Sequence, residues 1–288
     1  MATLSDWVEG ARPRTLPAAL APVILGTFAA HALGSASIPR ALLAAGVALA
    51  LQIGVNFAND YSDGVRGTDD VRTGPARLTG GGKTAPRNVK IAAFVSFGIA
   101  GVLGLVLVAL TGQWWLLALG VLAVLAAWFY TGGARPYGYM GLGEVFVFVF
   151  FGLMATAGTT YTQAGTTSLA TWLGAIGIGL IACAILMINN IRDIPTDTEA
   201  GKKTLAVRLG DARARRAFEL MILVPIVLGA LAVPTVWALG VLLLLPLAWF
   251  LVRPVRKGAV GLDLIPVLRN TGFYELIFAL LLGGLLLA

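Results

Sequence analysis

The sequence predicts an all-α polytopic membrane protein, and three observations carry that prediction. The chain is 58% hydrophobic and only 12% charged, about half the charge of a soluble domain. Its mean hydropathy is +0.86. Apolar runs of roughly 18–23 residues recur from end to end, each about long enough to cross the hydrocarbon as a helix. The runs are continuous rather than alternating, which excludes a membrane β-barrel.

Nine spans are expected, in order 15–34, 41–58, 89–111, 114–131, 142–163, 169–191, 217–235, 237–253 and 271–288. The segment before the first, Met1 to Pro13, carries Asp6, Glu9 and Arg12 and no apolar signal core, so no cleaved leader is expected. Span one holds His31, the only histidine, near its outer end, and span six holds Cys183, the only cysteine. A packing role is expected of each, and histidine-based metal binding or base catalysis is effectively absent. Glycines cluster at Gly98/Gly101/Gly104 in span three and Gly174/Gly177/Gly179 in span six. Both clusters predict close helix packing through small residues. Turns between spans on one side are short and uncharged, such as Thr111-Gly112-Gln113. Those on the other side are long and charged, above all 59–88 and 192–216. No polar stretch is long enough for a second domain, so residues 1–288 are expected to form one.

Charge fixes the expected orientation. Of the 21 lysines and arginines only Arg40 falls on the side of the short turns. By the positive-inside rule the other face is cytoplasmic, with the N-terminus inside and the C-terminus outside. The net charge of +7 is then a topology signal facing anionic lipid, with a possible surplus for phosphate. No aromatic-basic module for nucleic acid is present, and no nucleic-acid partner is expected.

Two acidic clusters recur at the same relative place, the inner ends of spans two and six. The first is Asn56, Asn59, Asp60 and Asp63; the second is Asn189, Asp193 and Asp197. Their position hints at a duplicated helical unit. Residues four apart share a helix face, so Asn56 pairs with Asp60, Asn59 with Asp63, and Asn189, Asp193 and Asp197 form a two-turn ladder. Pro195 is expected to end or kink the second helix just before Asp197. Carboxylates at the mouth of apolar helices are costly to keep and mark function. An all-oxygen donor set suits Mg²⁺, which keeps several waters and completes its shell with substrate phosphates. Basic side chains follow each cluster: Arg72, Arg77 and Lys83 after the first, Arg192, Lys202, Lys203 and Arg208 around the second. Several can bind phosphate oxygens that a metal leaves free. Together these point to chemistry on a lipid-borne diphosphate. Thr79-Gly80-Gly81-Gly82-Lys83-Thr84 has the look of a nucleotide loop, but Arg77 stands where its leading glycine should be and no strand precedes it, so a flexible loop is expected.

These motifs resemble the UbiA superfamily of intramembrane aromatic prenyltransferases. Its Asn-Asp-x-x-Asp motif matches Asn59, Asp60 and Asp63, and its second motif matches Asn189, Asp193 and Asp197. A further family aspartate four residues on is Gly67 here, with Asp69 and Asp70 just beyond. Three stretches are similar to one branch, the 1,4-dihydroxy-2-naphthoate polyprenyltransferases of menaquinone synthesis: 11–17, 130–144, and 190–210. The resemblance implies a nine-helix bundle around a central cavity opening to the cytoplasm under a cap of loops. It implies transfer of a polyprenyl group from polyprenyl diphosphate to 1,4-dihydroxy-2-naphthoate, with loss of diphosphate and carbon dioxide.

On that resemblance Asp60, Asp63, Asp193 and Asp197 are the carboxylates of two Mg²⁺ ions bridging the diphosphate, with Asn56, Asn59 and Asn189 as auxiliary donors. Arg12, Arg14, Arg72, Arg77, Lys83, Arg192, Lys202 and Lys203 are candidate substrate contacts. Arg135 is placed to hold the acceptor carboxylate, and Tyr137 and Tyr139 to orient a ring hydroxyl. Phe129, Tyr130, Phe146, Phe148 and Trp128 are placed to shield an allylic cation. Glu144 could accept a proton or pair with Arg135; Glu275 could pair with Arg269. Another acceptor such as 4-hydroxybenzoate remains open within the class. A small-solute or ion transporter is the alternative outside it, although transporters place charge near the midplane of broken helices.

Overall fold

The structure, a computed structural model, describes residues 2–67, 77–234 and 236–288, and the regular elements among them are all helical. The chain runs α1 (Leu4–Ala11), α2 (Leu16–Ala32), α3 (Ile38–Arg66), α4 (Pro86–Thr111), α5 (Leu116–Phe129), α6 (Gly143–Val147), α7 (Ala155–Ala164), α8 (Leu169–Glu199), α9 (Leu205–Leu209), α10 (Asp211–Ala232), α11 (Leu245–Arg256) and α12 (Ile265–Leu285). Among the described residues seven helices are long and apolar enough to cross a membrane. Helix also occupies the other two expected stretches. There α5 is only 14 residues long, and α10 opens on a charged turn with Asp211, Arg213, Arg215 and Arg216.

α1 is an amphipathic helix in the charged segment that precedes the first expected span. Thr3 caps it, accepting from the backbone N–H of Asp6 while Asp6 accepts from the N–H of Thr3. Arg12 ends it in the left-handed region at φ 54°.

α3 and α8, at 29 and 31 residues, are about 43–47 Å long at 1.5 Å per residue, well beyond the ~30 Å hydrocarbon. Their surplus turns carry the two acidic clusters. α3 stops where Gly67 takes φ 74°, a conformation open to glycine at little cost. α8 does not stop at Pro195, against expectation: it runs on to Glu199 with the proline inside. The ring removes one backbone donor near the helix end, and the remaining turn persists.

α8 is the central post. Its Ile178, Ile181, Met187 and Ile188 are fully buried with Phe218 and Ile222 of α10 and Phe278 of α12. The glycine expectation divides here. A Cβ on Gly174, Gly177 or Gly179 would come within 2.8–2.9 Å of Leu25, Phe278 or Phe148, so this cluster does serve close packing. Gly98 and Gly101 face open space, and Gly104 meets only Val47 at 3.9 Å. They lie on α4, whose Phe94, Val95, Ile99, Val102 and Leu110 are exposed, as suits a surface facing lipid.

The fifth expected span is interrupted. Between α6 and α7 the chain forms a π-helix, Phe148–Met154. It lies where Gly152 meets α8 so closely that an added Cβ would sit 2.4 Å from the Cα of Gly179. Across the molecule Arg40 donates to the carbonyls of Thr162, Gln163 and Leu110, at the ends of α7 and α4.

Between α2, α3, α5, the α6–α7 segment and α8 lies a cavity of about 1000 Å³. Its shaft is predominantly apolar and reaches Trp115 and Trp172 at the α5 and α8 starts. Its other end is polar and holds Asp63, Asp193 and Asp197.

Candidate active site

The polar end is assembled from the last turns of α3 and α8 and the three charged connections. In α3, Asp63 is the hub. Its carboxylate accepts from the Tyr139 hydroxyl at 2.5 Å and from Arg77 at 3.0 Å, with Lys202 3.8 Å away. One residue thus gathers the segments after α3, after α5 and after α8. Asn59 accepts from the Thr131 hydroxyl at 2.8 Å. Asn56 donates to the Ala11 carbonyl at 2.9 Å and to Thr15 at 3.1 Å, fixing the entry to α2. All three line the cavity.

Asp60, expected among the metal carboxylates, is turned away from the cavity. It is 2% exposed and does not line the cavity. Its two oxygens accept the backbone N–H groups of Leu78 at 2.9 Å and Thr79 at 2.8 Å. Gly64, one turn on, lets Thr79 and Gly80 come so near that a Cβ would meet them at 2.5–2.8 Å. The segment 79–84 expected to be a flexible loop is therefore an anchored turn, and the anchor presents Arg77 to Asp63. Four-residue spacing put Asn56 and Asp60 on one helix face; the neighbouring loop, rather than the cavity, takes Asp60.

In α8, Arg192 forks onto Asp193 at 2.7 and 2.6 Å and reaches Asn189 at 2.8 Å. Asn189, Asp193 and Asp197 line the cavity, whereas Arg192 stands behind them. Arg12, Arg77 and Lys202 are the cavity-lining cations among the described residues. The other expected contacts are elsewhere. Lys83 pairs with Asp6 at 2.6 Å and holds α1 to the turn, a hydrogen bond that raises the lysine pKa. Arg14 and Arg135 are exposed and off the cavity. Lys203 offers its backbone N–H to the Tyr139 carbonyl at 2.9 Å, and its side chain does not line the site. Arg72, Asp69 and Asp70 lie outside the described residues.

Tyr137 and Tyr139 both line the cavity. The Tyr137 hydroxyl is committed to the Ala126 carbonyl at 2.8 Å, and burial raises its pKa. Its ring stacks on Phe146 with centroids 3.9 Å apart, and Phe146 stacks on Phe150 at 6.2 Å. Tyr137, Phe146 and Phe150, with Tyr130 edge-on to Tyr137, therefore form an aromatic wall. Trp128, Phe129 and Phe148 do not line it: Trp128 stacks on Tyr61 and meets Phe94 at a tilt, and Phe148 packs against Gly179.

Glu144 does not meet Arg135. It is 5% exposed and accepts from Asn190 at 3.1 Å, while Cys183 donates to its backbone carbonyl at 3.1 Å. Glu275 is fully buried, and neither of its oxygens has a hydrogen-bond partner, Arg269 included. Sequence reasoning missed Asn190, Thr131 and Phe150. The adjacent Asn189-Asn190 pair was the available signal for the first.

Among the described residues no three histidines, cysteines or carboxylates come together as a metal cage. The donors still fit Mg²⁺ delivered with a diphosphate, since such a metal takes only one or two carboxylates and completes its shell from phosphate and water. The acidic groups lie on two facing helices, with three cations between them.

The fold and this mouth define an integral membrane protein whose cavity joins an apolar shaft to an oxygen-donor site. Residues 19–259 match the model of the UbiA prenyltransferase family, and the chain belongs to that family. It is 51% identical to a 1,4-dihydroxy-2-naphthoate octaprenyltransferase of Mycobacterium tuberculosis, over 99% of this chain and 98% of that protein. It is 40% identical to the enzyme of the same name from Escherichia coli, over 92% and 89%. Among solved structures, a UbiA homolog from Archaeoglobus fulgidus bound to GPP and Mg²⁺ superimposes with a TM-score of 0.71 at 15% identity, covering 98% of this chain and 100% of that one. That likeness supports the fold.

Proposed function

We propose that this protein transfers a polyprenyl group from polyprenyl diphosphate to 1,4-dihydroxy-2-naphthoate, releasing diphosphate and carbon dioxide. The observation that carries the reading is a single cavity with an apolar shaft and a mouth lined by Asp63, Asp193 and Asp197. The prenyl tail belongs in the shaft and the diphosphate at the mouth. The names of the relatives supply the acceptor.

Asp63, Asp193 and Asp197, with Asn59 and Asn189, would hold Mg²⁺, two ions in all. The metal supplies electrostatic relief of the charge that builds on the departing diphosphate. Arg12, Arg77 and Lys202 face the same oxygens. On ionisation the bond between the prenyl carbon and oxygen breaks and its electron pair stays with diphosphate. The wall of Tyr137, Phe146 and Phe150 keeps water off the allylic cation and offers it aromatic faces. The ring carbon bearing the carboxylate attacks the cation; the bond to the carboxylate then breaks, its electron pair restores the ring, and carbon dioxide leaves. A transporter would need charge deeper in the shaft, and the lining there is uncharged.

The arrangement in the membrane belongs to the same reading. α5 and α10 complete nine crossings of one domain, the mouth and N-terminus face the cytoplasm, and the C-terminus lies outside. The test of activity is an acceptor panel. Protein in nanodiscs is given a long-chain polyprenyl diphosphate with the naphthoate, 4-hydroxybenzoate or homogentisate, and products are identified by mass. Decarboxylated prenyl naphthoquinol from the naphthoate alone is expected. Conversion of a different acceptor alone would refute the branch and leave the metal site standing.

A further inference from the structure

We infer that Asn190, held by Glu144, is the recognition point for a hydroxyl group of the aromatic acceptor. The inference rests on the proposed prenyl transfer and names the part of the cavity that selects the second substrate.

Asn190 follows Asn189 on α8 but points about 100° further round the helix. Asn189 is occupied by Arg192 on the diphosphate side. Asn190 lines the cavity and donates its Nδ2 to Oε1 of Glu144 at 3.1 Å. Glu144 is itself fixed. It is 95% buried, and the Cys183 thiol holds its backbone carbonyl from α8. The Glu144 carboxylate offers only acceptor oxygens, and the amide stands with its nitrogen toward it. Rotating it would set oxygen against oxygen and leave buried groups unpaired. The carbonyl oxygen of Asn190 is consequently the atom left for the cavity.

That atom accepts hydrogen bonds, and the two substrates differ in what they can give it. A diphosphate is all acceptor and finds nothing here. A dihydroxylated aromatic ring carries O–H donors and does. The stacked rings of Tyr137, Phe146 and Phe150 line the same cavity as Asn190, a wall suited to a flat aromatic. The other oxygen of Glu144 has no partner and is sealed from the cavity. Glu144 is thus a positioning residue that acts through Asn190.

The test is a split between the two Michaelis constants, measured with whichever aromatic acceptor the wild-type protein turns over. Failure with the naphthoate alone would then revise the proposed function and not this site. Asn190→Leu should raise KM for the acceptor about tenfold or more and leave KM for polyprenyl diphosphate within about twofold. Asn190→Asp, which keeps an acceptor oxygen, should recover much of the loss if it folds. Glu144→Gln retains an oxygen for the amide and should stay near wild type, whereas Glu144→Leu should copy Asn190→Leu. Acceptors with a single hydroxyl masked as the methyl ether complete the cycle. One of them should bind the wild type about tenfold more weakly and Asn190→Leu no more weakly than the parent compound. Equal rises in both Michaelis constants, or an unchanged acceptor KM in Asn190→Leu, would overturn the inference.

Discussion

Asp60 and Asp63 stand three residues apart in one motif and do different work. Asp63 lines the cavity beneath Arg77, Tyr139 and Lys202, while Asp60 clamps the backbone of Leu78 and Thr79. Asp63→Asn should abolish turnover while the protein still folds, as checked by product formation against thermal unfolding in detergent. Asp60→Ala strips the buried N–H of Leu78 and the half-buried N–H of Thr79 of their charged acceptor, at a cost of roughly 1–3 kcal/mol for the buried one. It should lower the melting temperature, and its residual activity should show an unchanged Mg²⁺ dependence. Weakened Mg²⁺ activation in Asp60→Ala would return that residue to the metal. Arg135, exposed and off the cavity, makes a complementary case. Arg135→Ala should leave acceptor KM within about twofold, since no hydrogen bond of ~1.5–3 kcal/mol to a charged group is lost. A tenfold rise would place the guanidinium on the acceptor carboxylate after all.

At the scale of the helix, two glycine clusters that read alike have opposite fates. Gly152 and Gly179 put the π-helix of the α6–α7 segment in backbone contact with α8, and an added Cβ would sit 2.4 Å from a neighbouring Cα. Gly152→Val should sharply reduce folded yield, because overpacking of a tight contact costs about 1–3 kcal/mol or more. Gly98→Val on α4 meets open space and should leave yield and melting temperature close to wild type. Equal damage at both sites would mean that α4 is covered by another protein surface rather than lipid. The π-helix also bears on the site, since Phe150 belongs to it and stacks on Phe146 in the cavity wall.

For the whole molecule, metal and topology are the quantities to measure. Facing acidic groups without a closed cage predict metal that arrives with substrate. Chelation with EDTA should abolish turnover and added Mg²⁺ restore it, with little change in melting temperature when substrate is absent. Full turnover in metal-free buffer would remove the metal assignment. Single cysteines placed in 77–85 or 200–204, in a Cys183→Ser background, should react with impermeant reagent only from the cytoplasmic side. Reaction from outside would invert the bundle.

The sequence by itself determined the class of fold, the positions of the helical stretches and both acidic clusters. Those properties are local: hydrophobic length sets a span, and carboxylates at the end of an apolar run mark a mouth. It also placed Asp63, Asp193, Asp197, Tyr137 and Tyr139 among the residues that the cavity gathers. Only the tertiary structure decided which partner each polar group takes. Spacing of four residues states that two side chains share a helix face, but not what that face meets. Asp60 met a loop backbone, Lys83 met α1, and Arg135 met solvent. Pro195 stayed inside α8, and one glycine cluster faced outward while the other was packed. The pair of Glu144 and Asn190, 46 residues apart, has no signature along the chain. It exists because α6 is pressed onto α8, and that contact depends on the packing of both helices at once.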